Sequence, residues 1–546
     1  MQVGSRTPLS LLERGPGRAT FPVALAAFAL AQLVGCATLP PGAQYHKQAS
    51  VAFAHPQDAH IAQVFAPAAA AHSGDSAFRI LSRGIDGFSI RMQLIQQAQH
   101  ALDLQYFIFR QDHSGQMITE ALLQAADRGV HLRLLVDDGA TLPGDGRIVL
   151  LAAHPNVEVR IFNPFAYRGN STTLRAMEFA LHHRRLDYRM HNKLLVADNA
   201  SALIGGRNVG DQYFQIDPQG QYADDDVFVS GPTVQKLSAT FDNFWNSALA
   251  IPVEALSGGH PSAAQLAAYR DVLAQAHQKA QQAGAIYLRE AASGEPLAGI
   301  LKGELPVVWA PAQVVCDPPD KINHQEHGPR RPFVYEPVTQ AVAAVHSEFL
   351  MITPYFIPTP REAQALKDLR QRNVRVGVLT NSLESTTEVS AHAGYQRHRT
   401  EMLQAGVELH EVRAAPDTAR GTGQPVALSR YGNYGLHAKL YAFDRSRLFI
   451  GSMNFDQRSA RLNTEIGLLI ESSELAQQAV ARYDAMTQLA NAYQVTLQAD
   501  PTGHSHPLWR TSIEGKLVET KHEPSRNAWR GLQDDFLRLM PIDDEL

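Results

Sequence analysis

Apolar runs bounded by turn residues recur along this chain in two matched sets. Leu194, Leu195, Val196 and Ala197 form one run, and Leu440, Tyr441, Ala442 and Phe443 form its counterpart. Short apolar runs between turns predict buried strands. Other segments match in the same order. Tyr106-Phe107-Ile108 pairs with Tyr355-Phe356-Ile357, and Val157-Glu158-Val159 with Val407-Glu408-Leu409. Arg128-Gly129-Val130 opens a strand over 131–136, as Arg372-Asn373-Val374 opens one running to Leu379. Asp226 precedes Val227-Phe228-Val229, as Glu465 precedes Ile466-Gly467-Leu468. Each half then reads strand, helix, strand, strand, central strand, turn, acidic strand, helix. That alternation predicts an α/β layer architecture built twice. The last helix of the first half is predicted to start at Pro232, since proline suits a first helical turn. Its stripe Val234, Leu237, Phe241 and Trp245 has helical spacing and reads as core packing.

The two central strands carry one polar pattern. His191-Asn192-Lys193 is followed by Asp198, and His437-Ala438-Lys439 by Asp444. Both read H-x-K-x4-D. Each leads to a small-residue turn and an asparagine, Gly205-Gly206-Arg207-Asn208 and Gly451-Ser452-Met453-Asn454. The histidines and the asparagines are both 246 positions apart. A single H-x-K is an ordinary strand-end pair, but two copies kept in step with their turns are not. On a strand, residues two apart share a face. His191 therefore points with Lys193, and His437 with Lys439. The Asp lies at an odd offset from its His, so Asp198 and Asp444, though part of the motif, read as orienting or structural groups. Two imidazoles and two ammonium groups meeting across a pseudo-twofold axis make a phosphoryl-transfer site without a metal or cofactor.

At 546 residues the chain is long enough for two domains with their own cores. Its 45% hydrophobic and 19% charged residues are ordinary globular values. The expected boundaries are 84–255 and 306–495 for the two repeated domains. A linker over 256–305 contains a helical segment at 263–283. A tail over 496–546 carries Trp529, Leu532, Phe536, Leu537 and Met540 at near-helical spacing. That amphipathic segment is expected to dock on the body, the other reading being a membrane surface.

The first 35 residues read as a leader, followed by an extension over 36–83. Arg6, Arg14 and Arg18 precede an apolar stretch at 21–35 that is short for a membrane span. It ends Leu33-Val34-Gly35-Cys36, similar to a bacterial lipobox, where cleavage would leave an acylated Cys36. An uncleaved signal anchor is the other reading. Cys36 and Cys316 are the two cysteines, so no disulfide framework is expected. No Cys/His cluster has zinc-site spacing. The net charge is −5, and removing three Arg and one Glu with the leader makes the chain more acidic. An acidic body disfavours nucleic acid as a partner. It also disfavours purely electrostatic adsorption to anionic lipid, a problem that a lipid anchor solves.

The paired motifs with their Gly-x-x-Asn turns resemble the phospholipase D superfamily over about 84–491. Longer strings resemble its bacterial cardiolipin synthase C branch of membrane-associated phosphatidyltransferases. They are Arg189-Met190-His191-Asn192-Lys193, the ten residues from Gly205 to Phe214, His392-Ala393-Gly394-Tyr395, Gly451-Ser452-Met453-Asn454 and the eight residues from Arg458 to Glu465. The resemblance implies two pseudo-symmetric phospholipase D-type α-β-α domains with the active site at their interface. It implies a ping-pong reaction through a covalent phosphatidyl-histidine, with His191 as nucleophile and His437 as acid and base. Lys193, Lys439, Asn208, Asn454 and Ser452 would hold the phosphate. Gly206 stands where the first half should match Ser452. Glu465 and Asp226 would orient the histidines, with Asp225 or Asp224 able to take the place of Asp226. The implied substrates are phosphatidylglycerol as acceptor, and either phosphatidylglycerol or phosphatidylethanolamine as donor. A lipid hydrolase making phosphatidic acid and, more remotely, a nuclease share this chemistry. The implied location is a bacterial cell membrane, anchored and facing the periplasm, with inner and outer membrane both open. Oligomeric state is not encoded in any of these features, since both motifs lie in one chain.

Overall fold

A computed structural model describes residues 44–45, 47–139, 143–169, 171–216, 220–257, 260–282, 296–321, 333–415 and 434–538. The expected leader, Cys36 and Met540 lie outside the described residues.

Among the described residues, ten strands come first in chain order. They are β1 (Ser76–Leu81), β2 (Ala101–Tyr106), β3 (His131–Asp137), β4 (Val157–Phe162), β5 (Leu194–Ala197), β6 (Ser201–Gly205), β7 (Gln221–Ala223), β8 (Asp226–Ser230), β9 (Ala250–Pro252) and β10 (Val308–Ala310). Eleven follow: β11 (Ala312–Cys316), β12 (Glu348–Ile352), β13 (Arg375–Asn381), β14 (Glu408–Val412), β15 (Tyr434–Leu436), β16 (Leu440–Phe443), β17 (Arg447–Gly451), β18 (Ile466–Glu471), β19 (Ala492–Ala499), β20 (Ser505–Ile513) and β21 (Lys516–Thr520). One sheet runs β10-β1-β8-β6-β5-β2-β3-β4-β9, the other β11-β18-β17-β16-β12-β13-β14-β19-β20-β21. From β1 to β9 and from β11 to β19 the two orders are the same, so the repeat seen in sequence is a repeat of topology. In both, only the three strands after the central one are mutually parallel.

Local chemistry repeats with the topology. The helix His113–Asp127 begins at Asp112, whose carboxylate accepts from Gly115 N, and Pro360–Gln371 begins at Thr359 in a capping box with Glu362. Both helices stop at a left-handed residue, Gly129 at φ 97° and Asn373 at φ 62°. Glycine and asparagine tolerate that conformation best, which is why the matched triplets before β3 and β13 differ at that position yet act alike.

The core has three parts. One apolar cluster lies on the outer face of each sheet. A third joins the inner faces of both, with Leu194, Ile204 and Val227 of one half meeting Leu440, Ile450 and Ile466 of the other around Phe241 and Trp245. The helix Pro232–Trp245 starts where expected and places that stripe in this shared core. A third, two-stranded sheet pairs β7 of the first half with β15 of the second.

Three segments depart from the expected boundaries. The helix Ala263–Gln282 packs on the first half, burying Leu266, Tyr269 and Leu273, while Arg270 pairs with Asp127 at 2.8 Å. Strand β10, expected in the second half, extends the first sheet at β1. The tail adds β20 and β21 to the second sheet before its helix, Ala528–Arg538. Its docking is also reversed. Asp534 is buried, whereas Trp529, Leu532 and Phe536 point outward.

Candidate active site

The motif strands β5 and β16 are central in their sheets, and each motif histidine sits just before its strand. What fixes the histidines comes from the opposite half. His191 N donates to Thr464 O at 3.0 Å, and Thr464 N returns a bond to Arg189 O at 2.9 Å. His437 N and Ala438 N both donate to Ala223 O, at 2.8 and 3.0 Å. The imidazoles follow the same rule. His191 Nδ1 lies 3.0 Å from both carboxylate oxygens of Glu465. His437 Nδ1 lies 2.6 Å from Asp224 Oδ2.

Glu465 was expected as an orienting acid, but Asp226 does not share that role. Asp226 accepts from Arg91 Nη1 at 2.8 Å and Arg207 Nη1 at 3.2 Å in the first half's interior. The sheet register gives the reason. Asp226 pairs with Gly205 across β8 and β6, and Gly467 pairs with Gly451 across β18 and β17. Asp226 is therefore the counterpart of Gly467, and Asp224 that of Glu465. A two-residue slip keeps every side chain on its face, so alternation alone could not expose it. The three consecutive aspartates divide between tasks, for Asp225 pairs with Arg482 of the second half at 2.9 Å.

The departure at Gly206 follows from the same placement. A Cβ there would lie 2.1 Å from Asp224 Oδ1. The second half has room for Ser452, whose hydroxyl donates to Glu465 Oε2 and accepts from Ile466 N at 3.0 Å. Ser459 donates to the other oxygen of Glu465 at 2.8 Å. Ser452, expected on the phosphate, instead holds the carboxylate that holds His191.

Lys193 and Lys439 are buried on the same faces as their histidines, each ammonium bonding its own motif's His carbonyl oxygen. Asn208 accepts from Ile108 N at 3.1 Å through Oδ1, while its buried Nδ2 makes no hydrogen bond of normal geometry, although the Tyr213 hydroxyl is near enough to feel it. Asn454 likewise has an unpartnered buried end, Oδ1, and half a turn of its amide presents the N–H pair instead. Buried amide ends without partners are costly unless a ligand supplies them.

Asp198 and Asp444 stand beyond the far ends of β5 and β16, both in the left-handed conformation. Asp198 accepts from the backbone N–H of Gln99, His100 and Ala101, and Asp444 from those of His346, Ser347 and Glu348. They tie the turn to the start of the neighbouring strand, a structural role that takes them out of the catalytic set.

Aromatic walls that the motif pattern did not signal surround the two imidazoles. Phe107 meets His191 edge-on at 5.1 Å. Tyr213 and Tyr222 lie 5.1 and 5.6 Å from His437. Phe107 and Tyr213 lay inside quoted strings without a role, and Tyr222 precedes the acidic run.

Burial sets the protonation states. Desolvation, then the charges of Lys193 and Lys439, holds His191 well below the usual histidine value. Burial and then Lys439 push His437 down to about 3, against the pull of Asp224. Burial lowers Lys193 well below a free lysine and Lys439 to about 8. The acids diverge. Burial raises Asp224, but His437 and Lys439 together pull it below the carboxylate range, whereas burial outweighs Lys193 and the serines at Glu465 and raises it. The empty site thus presents two imidazoles that burial keeps from charging, between two buried lysines. A phosphodiester anion placed there offsets the lysines and raises both histidines. Among the described residues, no group of three or more His, Cys, Asp or Glu side chains could hold a metal ion.

The family model "Cardiolipin synthase, PLD-like domain" matches residues 92–245 and 338–487, one copy per motif. This chain belongs to that family. It is 32% identical over 487 residues to cardiolipin synthase C of Escherichia coli (strain K12), covering 88% of this chain and 99% of that one. It is 23% identical over 439 residues to the major cardiolipin synthase of Bacillus subtilis (strain 168), covering 80% and 73%. The solved phosphatidylserine synthase of Haemophilus influenzae Rd KW20 aligns over 78% of this chain and 90% of that one, with 14% identity and a TM-score of 0.48. This cardiolipin-synthase-family enzyme keeps both histidines, both lysines and both asparagines of its paired motifs at one interface.

Proposed function

We propose that this enzyme transfers a phosphatidyl group to the headgroup hydroxyl of phosphatidylglycerol, forming cardiolipin through a phosphatidyl-histidine. The observation that carries this is the exchange of carboxylates. Glu465 and Asp224 each bind the Nδ1 of the histidine in the other half. Each carboxylate favours the tautomer with Nδ1–H, leaving Nε2 as the reacting nitrogen on both rings; at His437 the 2.6 Å contact with Asp224 is shorter than the 3.1 Å contact of Lys439 Nζ with the same nitrogen.

In the first step His191 Nε2 attacks phosphorus, an N–P bond forms, and the donor's P–O bond breaks. His437, protonated on Nε2 from solvent once the bound phosphodiester anion has raised its pKa, gives that proton to the leaving alcohol. In the second step His437 takes the proton of the acceptor hydroxyl, whose oxygen attacks phosphorus and displaces His191. Microscopic reversibility assigns both proton transfers to one group. The asymmetry of the acids supports this division. His437 and Lys439 lower Asp224, which favours positive charge on His437 once a phosphodiester anion offsets Lys439, while burial raises Glu465 beside His191. Lys193, Lys439 and the free amide ends of Asn208 and Asn454 are placed to hold the non-bridging oxygens, where charge builds in the transition state.

The Leu33–Cys36 string supports a lipid-anchored enzyme facing the periplasm, with Cys36 acylated; the intact mass of the membrane-extracted chain tests that. The reaction is tested with purified enzyme in mixed micelles of labelled phosphatidylglycerol, with and without phosphatidylethanolamine. Cardiolipin as main product upholds transfer, and a need for phosphatidylethanolamine names the donor. Phosphatidic acid alone overturns transfer in favour of hydrolysis.

A further inference from the structure

Two helices in this molecule are built inside out. Thr172–Leu181 buries none of its residues. Its polar groups hold it to the body: Glu178 accepts from Ala166 N at 2.6 Å and Tyr167 N at 2.8 Å, and Arg175 donates to Asp138 O. Its large apolar side chains, Leu174, Met177, Phe179 and Leu181, stand in solvent, Met177 at 55% exposure. Ala528–Arg538 repeats the inversion. Asp534 is its buried residue, Arg530 donates to Thr386 O, and Arg397 reaches its last carbonyls, Leu537 O and Arg538 O, at 3.2 and 3.0 Å. Trp529 is 66% exposed and Phe536 61%, with Leu532 between them. Among the described residues, these two short helices hold seven of the thirteen large apolar side chains that stand exposed. An amphipathic helix in water normally buries that stripe, and contiguous exposed apolar surface marks a contact with something else.

Their placement indicates what that is. Thr172–Leu181 follows the end of β4 and leads through Asp187, ion-paired to Arg458 at 2.8 Å, into His191. Ala528–Arg538 is fixed to the loop after β13 at Thr386. The next residue, Thr387, interacts with Tyr222, the ring beside His437. One inverted helix is thus linked to each motif histidine, the first through the segment 182–190 and the second through Thr386, Thr387 and Tyr222. Cations accompany both. The exposed Arg184 follows the first, and around the second Lys521, Arg526, Arg530 and Arg538 outnumber Glu523, Asp534 and Asp535, although the whole chain is acidic at −5. Apolar side chains flanked by cations suit the headgroup boundary of an anionic bilayer.

We propose that the helices Thr172–Leu181 and Ala528–Arg538 lie together in the surface of an anionic phospholipid bilayer and set the site mouth against it. This rests on the lipid-transfer reading above, since an enzyme drawing both substrates from a bilayer must open toward it.

The test uses the full chain on phosphatidylglycerol vesicles containing acyl-chain-brominated lipid, which quenches only tryptophans reaching the hydrocarbon. Trp245 and Trp509 are buried and Trp309 is half-buried, so they supply a constant background. Quenching is expected in the native chain, lost in Trp529→Phe, and regained in Trp529→Phe with Met177→Trp. Serine at Leu174, Met177, Trp529 and Phe536 should lower turnover of bilayer lipid about tenfold or more, and leave turnover of short-chain monomeric phosphatidylglycerol unchanged. Absence of quenching at both positions overturns the proposal, as does equal turnover on bilayers by the serine variant. Cardiolipin formed without quenching sinks the surface alone, and quenching without any transfer product sinks the reaction alone.

Discussion

The two catalytic histidines sit in matched strands but in unmatched surroundings. His191 faces a glutamate held by two serine hydroxyls and walled by Phe107. His437 faces a shorter aspartate, in the space Gly206 leaves open, between two tyrosines. The frame is symmetric because the topology is repeated. On the proposed mechanism the surroundings are asymmetric because a nucleophile and a proton carrier need different acids. Glu465 shares its charge among two serine hydroxyls and an imidazole, whereas Asp224 turns one oxygen to His437 alone, where it favours the imidazolium that proton transfer creates.

The harshest way to break this comparison is to remove each ring. His191→Ala should abolish turnover and the covalent intermediate, a loss on the order of 10⁴-fold or more. His437→Ala should also lose turnover, yet still accumulate labelled phosphatidyl-enzyme from a donor with a good leaving group. An active, well-folded His437→Ala enzyme would end the two-histidine mechanism. The acids come next. Asp224→Asn should lower kcat by about 10³–10⁴-fold, as loss of the orienting anion does in a triad, and Glu465→Gln by roughly 10²-fold. Equal losses would erase the asymmetry argued here. Asp226→Asn should act differently, because it leaves the buried Arg91 and Arg207 guanidiniums without their shared carboxylate. It should lower unfolding stability by about 3 kcal/mol or more, read from denaturant melts.

The pH profile sharpens the same point. Both imidazoles are neutral in the empty site, so kcat/KM should show no break at the ordinary histidine value. Lys439 is cationic below about 8 and neutral above it, so kcat/KM should fall as pH rises through about 8. A bell centred on an unshifted histidine would contradict the burial argument. Making the halves alike is gentler. Gly206→Ser puts a side chain against Asp224 and should slow proton transfer by about tenfold while sparing formation of the phosphatidyl-enzyme. Asp198→Ala removes an acceptor from three backbone N–H groups and should cost about 1–3 kcal/mol of stability with kcat unchanged.

Much of this design is legible in the sequence because it is written twice. Apolar runs and the H-x-K spacing placed the central strands, the helix from Pro232 and the shared face of His191 and Lys193. The odd offset of Asp198 and Asp444 agrees with their place beyond the strand ends, where they accept from backbone N–H groups. What stayed hidden depends on contacts between distant segments. Asp224 and Asp226 share a face and differ only in register, which the pairing of β6 with β8 decides. Ser452 and Gly206 are explained by carboxylates that no local pattern links to them. The helix Ala263–Gln282 looked like a linker because its own stripe says nothing of which half it covers. The tail helix was expected to dock by its apolar face, and Asp534 with Arg530 reversed it.

The pairing of β7 with β15, and the exchange of acids between the histidines, have a bearing on ancestry. Each half lacks the acid that holds its own histidine, because that acid belongs to the other half. Two identical halves bound face to face would supply both acids to one another, in a site that is necessarily symmetric. Joining them in one chain replaced a concentration-dependent encounter with a permanent local one. It also freed each copy to drift toward its own duty, and the contrast between Gly206 and Ser452 is a record of that division of labour.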